Sequence, residues 1–456
     1  MGSAERMRVA ARISAEQRRQ RPTLVVVSAM SKITDLLVDS MRHAEGGDSA
    51  GLEANLRSIE DRHTRACREL LPPARQPEVL ASLGELLASF RRITGGMLML
   101  NDRPPRSVDE ALAIGERLSA LLLAAFLESE GVGAIAVNAA GAIVTDAVYG
   151  NASPVMELTR EKARKRVGPL LESGVIPVVT GFNGATADGR PTTLGRGGSD
   201  FSAAILAAAL DAAELWIWTD VDGIMTADPR LVPEARVLSE VTYSEAAELA
   251  YNGAKVLHPR TLAPLADRAI PVWSKNSFAL AKAGTKIVSK IQAPSGARAV
   301  TSTAKVALIS MEPSSATLVG AQVMGRALDA LARANVEVLA LSSSSFRQSF
   351  CVLVRSEELR GALQGLETAL ALELAHGYLA PIDVDEDVGL LAVVGEGMHG
   401  TPGLAGRIFT AISRENVNII AIAQGSSELT ISIIVRRDGL EKAVRAVHQE
   451  CRMGAD

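Results

Sequence analysis

The sequence is short of aromatic residues. Phe, Tyr and Trp, with 8, 4 and 3 copies, make up 3% of its 456 residues. A core of this size must then be built mainly from Ala, Val, Leu and Ile, as in packed α/β layers, and stacking on nucleobases is disfavoured as a general binding mode. Cysteine is scarce too. Cys67, Cys351 and Cys451 are odd in number, widely spaced and without a CxxC pair. That pattern argues against a disulfide framework and a zinc site and fits a reducing cytoplasm. Neither sign of charge dominates: 48 Lys and Arg against 52 Asp and Glu leave a net charge of −4, so nothing marks a nucleic-acid or membrane partner. No apolar run reaches the length of a bilayer span. The arginine-rich start, MGSAERMRVAARISAEQRRQR, carries Glu5 and Glu16 and no apolar h-region, so it reads as an amphipathic helix rather than a leader; Arg6 also breaks the myristoylation pattern. What remains is small-molecule chemistry.

What the chain does have is β/α alternation. TLVVVSAM (23–30) is a β-branched run ending in small polar residues, as a buried parallel strand does when it delivers a loop. GAIAVNA (133–139), IPVVTGF (176–182) and ELWIWTDVDG (214–223) repeat the pattern, with helical stretches such as 107–129 and 155–173 between them. A largely parallel sheet covered by helices follows, and ligands of such sheets bind outside the carboxyl ends of the strands. Ser28, Thr180 and Thr219-Asp220 fall at such ends.

The composition shifts at AGTKIVSKIQAPSGARAVTST (283–303), a stretch rich in Gly, Pro, Ser and Thr that reads as a domain boundary. Beyond it GRALDALARANVEVLAL (325–341) is repeated as GRIFTAISRENVNIIAI (406–422), and CVLVR (351–355) as SIIVR (432–436), both at an offset of 81 residues. Each copy reads as all or part of a ferredoxin-like βαββαβ unit.

Three motifs carry chemistry. Leu194-Gly195-Arg196-Gly197-Gly198-Ser199-Asp200 stands directly before a small-residue helix. Its glycines allow close backbone approach, the helix start offers free N–H groups, and Arg196 adds charge, a combination suited to an anion; a tight surface turn is the plain alternative. WTDVDGIMTADPR (218–230) sets Asp220 and Asp222 after a strand, where carboxylates can meet magnesium or a nucleotide and where Asp-Gly can equally be a simple turn. YNGAKVLHPRT (251–261) adds Lys255.

Together LVVVSAMSKITD, LGRGGSDFSAA, WTDVDGIMTADPR, GAKVLHPRT and IIAIAQGSSE resemble the aspartate kinases, in that family's order and over nearly the whole chain. The resemblance implies an amino acid kinase domain over 1–290 and two ACT regulatory domains over 300–380 and 385–456. It implies phosphoryl transfer from MgATP to the side-chain carboxylate of L-aspartate. Arg196 would hold a substrate carboxylate, Glu116 the ammonium, and Ser28 and Thr34 would line the same pocket. Asp200 would organise the reacting centre; Thr219, Asp220, Arg230 and Lys255 would face the nucleotide. Met225 stands where the family often has Tyr. The repeat resembles the amino-acid-binding modules of the threonine-sensitive type, often fused to homoserine dehydrogenase. Threonine is the implied effector, with lysine second. Gln424 is its expected contact, with Leu341 in the matching place of the first copy, and the modules are expected to pair subunits into a homo-oligomer.

One departure stands out. The family opens with a strand ending in Lys-Phe-Gly-Gly-Thr-Ser, absent from this sequence, whose lysine neutralises the transferring phosphoryl group. The expectation is that a strand belongs beside TLVVVSAM and that the 456-residue chain has little activity without it. A catalytically dead amino-acid sensor and the kinase half of a bifunctional enzyme remain open as alternatives.

Overall fold

The computed structural model describes residues 1–254, 257–292, 296–314, 320–345 and 349–453. The chain forms two compact units, Met1–Asp220 with Arg260–Ala281, and Val221–Pro259 with Lys282–Asp456.

In the first unit the apolar runs become parallel strands. Ile176–Thr180, buried at all five positions, is central between Val25–Val27 and Ala134–Val137. Alternate side chains leave this sheet in opposite directions. Val27, Ala134, Ile176 and Val178 face a core shared with the helices Ala4–Gln20, Ile33–Glu45, Ser49–Leu70, Gln76–Leu100 and Pro105–Ser129. Val137 and Val179 face a second core with Ala163, Val167, Phe201 and Ile205 of the helices Met156–Glu172 and Gly198–Ala209. The expected strand at 214–223 is Leu215–Thr219, parallel to Val272–Asn276. All three tryptophans gather there around one lysine: Lys275 Nζ lies 5.0, 5.8 and 5.1 Å from the rings of Trp216, Trp218 and Trp273.

In the second unit the repeat is visible as two four-stranded antiparallel sheets. Their orders are 340–343, 350–355, 306–311, 383–385 and 419–424, 430–436, 388–394, 299–303. The two orders are equivalent, yet the modules are not laid end to end. The last strand of the second module is Ala299–Thr303, which comes from before the first module and pairs antiparallel with Val388–Val394. The stretch read as a boundary therefore holds two strands, Thr285–Val288 and Ala299–Thr303. The offset of a repeat reveals duplication but not which segment completes which sheet. Val306, Leu308, Leu353, Val388, Leu390 and Ile434 form one apolar cluster joining the modules.

Residues 221–259 belong to this unit and are stitched to its second module. Thr226 accepts from Val300 N–H at 2.8 Å and meets His448 Nε2 at 3.0 Å, and Thr430 Oγ1 donates to Glu248 at 2.9 Å. Glu245, 1% exposed, pairs with Arg298 at 2.7 Å and accepts from Glu396 N–H at 2.9 Å. No described helix is long and apolar enough to cross a membrane.

Candidate functional site

Three loops meet at the carboxyl ends of Val25–Val27 and Ile176–Thr180. Gly181 N–H donates to Val27 O at 2.8 Å, which locks the two strand ends together. A side chain at Gly181 would lie 2.7 Å from Ser199 Cβ, so only glycine lets this strand end touch the start of helix Gly198–Ala209. Asp200 sits in the first turn of that helix, and burial pushes its carboxyl up to about 6. Ser28, exposed at the end of its strand, lines the same cavity as Asp200.

Glu116 approaches from the middle of helix Pro105–Ser129. It is 4% exposed, accepts from Ala29 N–H at 3.2 Å, and is pushed up to about 7 by burial. Gly115 beside it allows the helix to press on Ala29, Ile33 and Leu37. Thr34 is exposed in the first turn of Ile33–Glu45, adjoining this contact. Arg196 lies exposed in the loop before Gly198. The structure thus gathers Ser28, Glu116 and Asp200 around strand ends that sequence order keeps far apart.

Thr219 ends the strand Leu215–Thr219; its carbonyl accepts from Ser277 N–H and Oγ, both at 2.9 Å, and its hydroxyl lies 3.2 Å from Asp220. Trp218 and Ser277 line the cavity that Ser28 and Asp200 line. Arg230 belongs to the second unit, where its Nε donates to both carboxylate oxygens of Asp228, at 3.0 and 3.1 Å. Met225 is there too, bridged to Val237. Lys255 lies outside the described residues.

The cavity has a volume of about 620 Å³ and a definite shape. It is lined by Val25–Val27 and by Leu215–Trp218, together with residues of Ala4–Gln20 and Gly198–Ala209. Among the described residues no pairing joins these two strands.

A second cavity, of about 150 Å³, lies in the second module of the other unit. Gln424, at the end of Ile419–Gln424, lines it with Met398, Thr401, Gly403, Glu428 and Ile431. The matching place in the first module is Ser343 and not Leu341: Gln424 faces Ile431 as Ser343 faces Phe350, each 81 residues apart. Leu341 matches Ile422 instead, and both are exposed. Sequence reasoning passed over Glu428 and the loop at 398–403, although a glycine-punctuated run before an amphipathic helix was the available signal.

The profile of the amino acid kinase family matches residues 1–276, and that of an ACT domain residues 391–451. The chain is 33% identical over 457 residues to a chloroplastic bifunctional aspartokinase/homoserine dehydrogenase of Arabidopsis thaliana, covering 98% of this chain and 49% of that protein. It therefore spans about half the length of such curated relatives. An aspartokinase of Candida albicans is 28% identical, with 94% of this chain and 84% of that protein covered. Among solved structures, E. coli aspartokinase III in complex with lysine and aspartate superposes with a TM-score of 0.79 at 30% identity, covering 98% of this chain and 96% of that one. The same enzyme in complex with aspartate and ADP gives 0.83 at 28% identity, covering 98% and 97%.

Proposed function

The chain belongs to the amino acid kinase family and, within it, to the aspartokinases, and from that premise we propose that it phosphorylates the side-chain carboxylate of L-aspartate with ATP, under control of an amino acid bound to its ACT modules. The observation that carries this reading is the convergence of Ser28, Glu116 and Asp200 on one set of strand ends, next to a glycine-backed helix start.

The chemistry asks little of a general base, because the attacking carboxylate is already ionised at neutral pH. Its oxygen forms the new bond to the γ-phosphorus while the bond to the β-phosphate oxygen breaks and ADP leaves with the electron pair. Positioning and charge neutralisation then supply the rate. Glu116 takes the ammonium, Arg196 a carboxylate of the substrate through its planar fork, and Ser28 and Thr34 close the pocket. By family likeness the nucleotide is assigned to Thr219, Asp220, Arg230 and Lys255. Mg²⁺ arrives on ATP phosphates and needs only one or two protein carboxylates. Asp200, which lines the cavity, is the group that would receive it, and the ion would neutralise phosphate charge.

The slot between Val25–Val27 and Leu215–Thr219 supports a strand there. About five residues at 3.3 Å each would span roughly 17 Å, pairing with both neighbours. We assign to it the family's Lys-Phe-Gly-Gly-Thr-Ser strand, whose lysine would emerge beside Ser28 and Asp200. The ACT cavity at Gln424 is assigned to threonine, with lysine as the alternative. The exposed Leu341 and Ile422 lie on edge strands and are assigned to pairing between subunits. We read residues 1–290 as the kinase domain and 300–380 and 385–456 as the ACT domains, with the sheet of the first completed by Asp383–Asp385 and that of the second by Ala299–Thr303. The unpaired thiols of Cys67, Cys351 and Cys451 fit a reducing cytoplasm.

Calorimetry tests the pocket directly. L-Aspartate should bind more tightly than L-asparagine, which keeps the α-carboxylate and ammonium but lacks the side-chain anion. Equal binding of both would overturn the assignment.

A further inference from the structure

We infer that Asp109 is a positioning residue that fixes the Arg196 loop relative to Glu116, and so sets the span between the two charges that grip the substrate. The inference rests on the reading of Glu116 and Arg196 as the aspartate pocket.

Asp109 is 1% exposed and its partners are neutral loop donors rather than a cation. Its Oδ2 accepts from Thr193 N–H at 2.8 Å and from Gly150 N–H at 2.9 Å; its Oδ1 accepts from Thr193 Oγ1 at 2.8 Å. One carboxylate therefore ties two loops, at 148–151 and 193–196, to helix Pro105–Ser129. Glu116 is on the same helix seven residues further on. Two turns of helix separate them, about 10.5 Å along the axis, and seven residues return to nearly the same face. The helix is thus a ruler: one carboxylate holds the Arg196 loop, the other holds Ala29 and meets the substrate.

The link from Thr193 to Arg196 has little slack. Leu194 is fully buried and its N–H donates to Phe182 O at 2.9 Å. Gly195 has φ +76° and lies so close to Asn151 that a Cβ would come within 2.6 Å of its Oδ1. From the other side Arg260 Nη2 donates to Ala152 O at 3.1 Å, holding the partner loop. Arg196 follows immediately. Any shift of Thr193 passes to its guanidinium.

The choice of side chain is also informative. Both N–H groups donate to Oδ2 and only the Thr193 hydroxyl to Oδ1; asparagine keeps these contacts only by reversing that hydroxyl into an acceptor, and it loses the negative charge that strengthens all three.

The test is Asp109→Asn, measured by calorimetry with L-aspartate and, separately, with ADP. Displacing the Arg196 loop should weaken aspartate by about 10- to 100-fold, as misplacement of a substrate-positioning group does, with ADP unchanged. Thr193→Val removes only the hydroxyl and should give a smaller loss in aspartate binding, while Thr193→Ser should retain wild-type binding. This second series keeps the question open to measurement if Asp109→Asn fails to fold. Parallel losses of aspartate and ADP affinity, or no loss with either Asp109→Asn or Thr193→Val, would overturn the inference. A wild-type chain that binds ADP but no aspartate would remove the pocket reading itself and this inference with it.

Discussion

Aspartate binding should expel a proton from Glu116. In the empty site burial holds this carboxyl at about 7, so at pH 6 it is mostly protonated. An ammonium group brought beside it favours the carboxylate, and an opposite charge at that distance lowers a pKa by about 1–3 units. With a shift of about two units, roughly 0.8 proton leaves per aspartate bound at pH 6 and about 0.1 at pH 8, and affinity is roughly tenfold weaker at pH 6. Calorimetry in two buffers of different ionisation enthalpy measures the release at each pH. Asp200, pushed up to about 6, also titrates in this range, so the decisive comparison is with Glu116→Gln. That variant should lose the Glu116 share of the proton release and, at pH 8, bind aspartate more weakly by about 1.5–3 kcal/mol, the worth of a charge-assisted hydrogen bond. The same shift acts on folding. A carboxyl raised from 4.5 to about 7 holds its proton in the folded chain after the unfolded chain has lost it. Stability therefore falls as pH rises between those values, by up to about 3 kcal/mol, and is level above. Glu116→Gln should remove that share of the slope, leaving the part that Asp200 contributes below about pH 6. Proton release identical in wild type and Glu116→Gln, or affinity independent of pH in both, would refute the reasoning.

Other outcomes follow from the second unit. Arg298→Met leaves Glu245, whose side chain is 2% exposed, without its ion partner; it should lower stability by about 3–5 kcal/mol in thermal or denaturant unfolding, with part of the loss recovered in Arg298→Met/Glu245→Gln. Gln424→Ala should weaken threonine binding by about 0.5–1.5 kcal/mol, the worth of a neutral hydrogen bond, with aspartate binding unchanged. Ser343→Ala, at the matching place of the first module, should leave threonine binding at Gln424 intact; an equal loss in both variants would mean that the modules share one ligand.

The parallel strands were legible because each carries an apolar run ending in small polar residues, and the ends they marked at Ser28, Thr180 and Thr219 are those to which the proposed site is assigned. Duplication of the regulatory modules was legible from its constant offset. The exchange of Ala299–Thr303 into the second module was not, since strand order is decided by long-range pairing that no local pattern encodes. Asp109 was invisible for a similar reason. Next to Glu110 at the start of a helix it reads as an ordinary acidic first-turn residue favoured by the helix dipole, and only tertiary packing reveals the three donors on it. Glu116 was reached through family likeness, whereas its burial, the property that makes it proton-sensitive, depends on Ala29 and the glycine beside it.

The central claim is phosphoryl transfer to the side-chain carboxylate of aspartate. It is tested most directly by incubating the chain with MgATP, L-aspartate and hydroxylamine, which traps an acyl phosphate as its hydroxamate, with and without a Lys-Phe-Gly-Gly-Thr-Ser strand joined upstream of Met1. Aspartyl hydroxamate is expected from the chain carrying that strand, dependent on aspartate and lost in Arg196→Ala. No hydroxamate from either form, while aspartate and ADP both bind, would contradict it and leave an amino-acid sensor as the surviving reading.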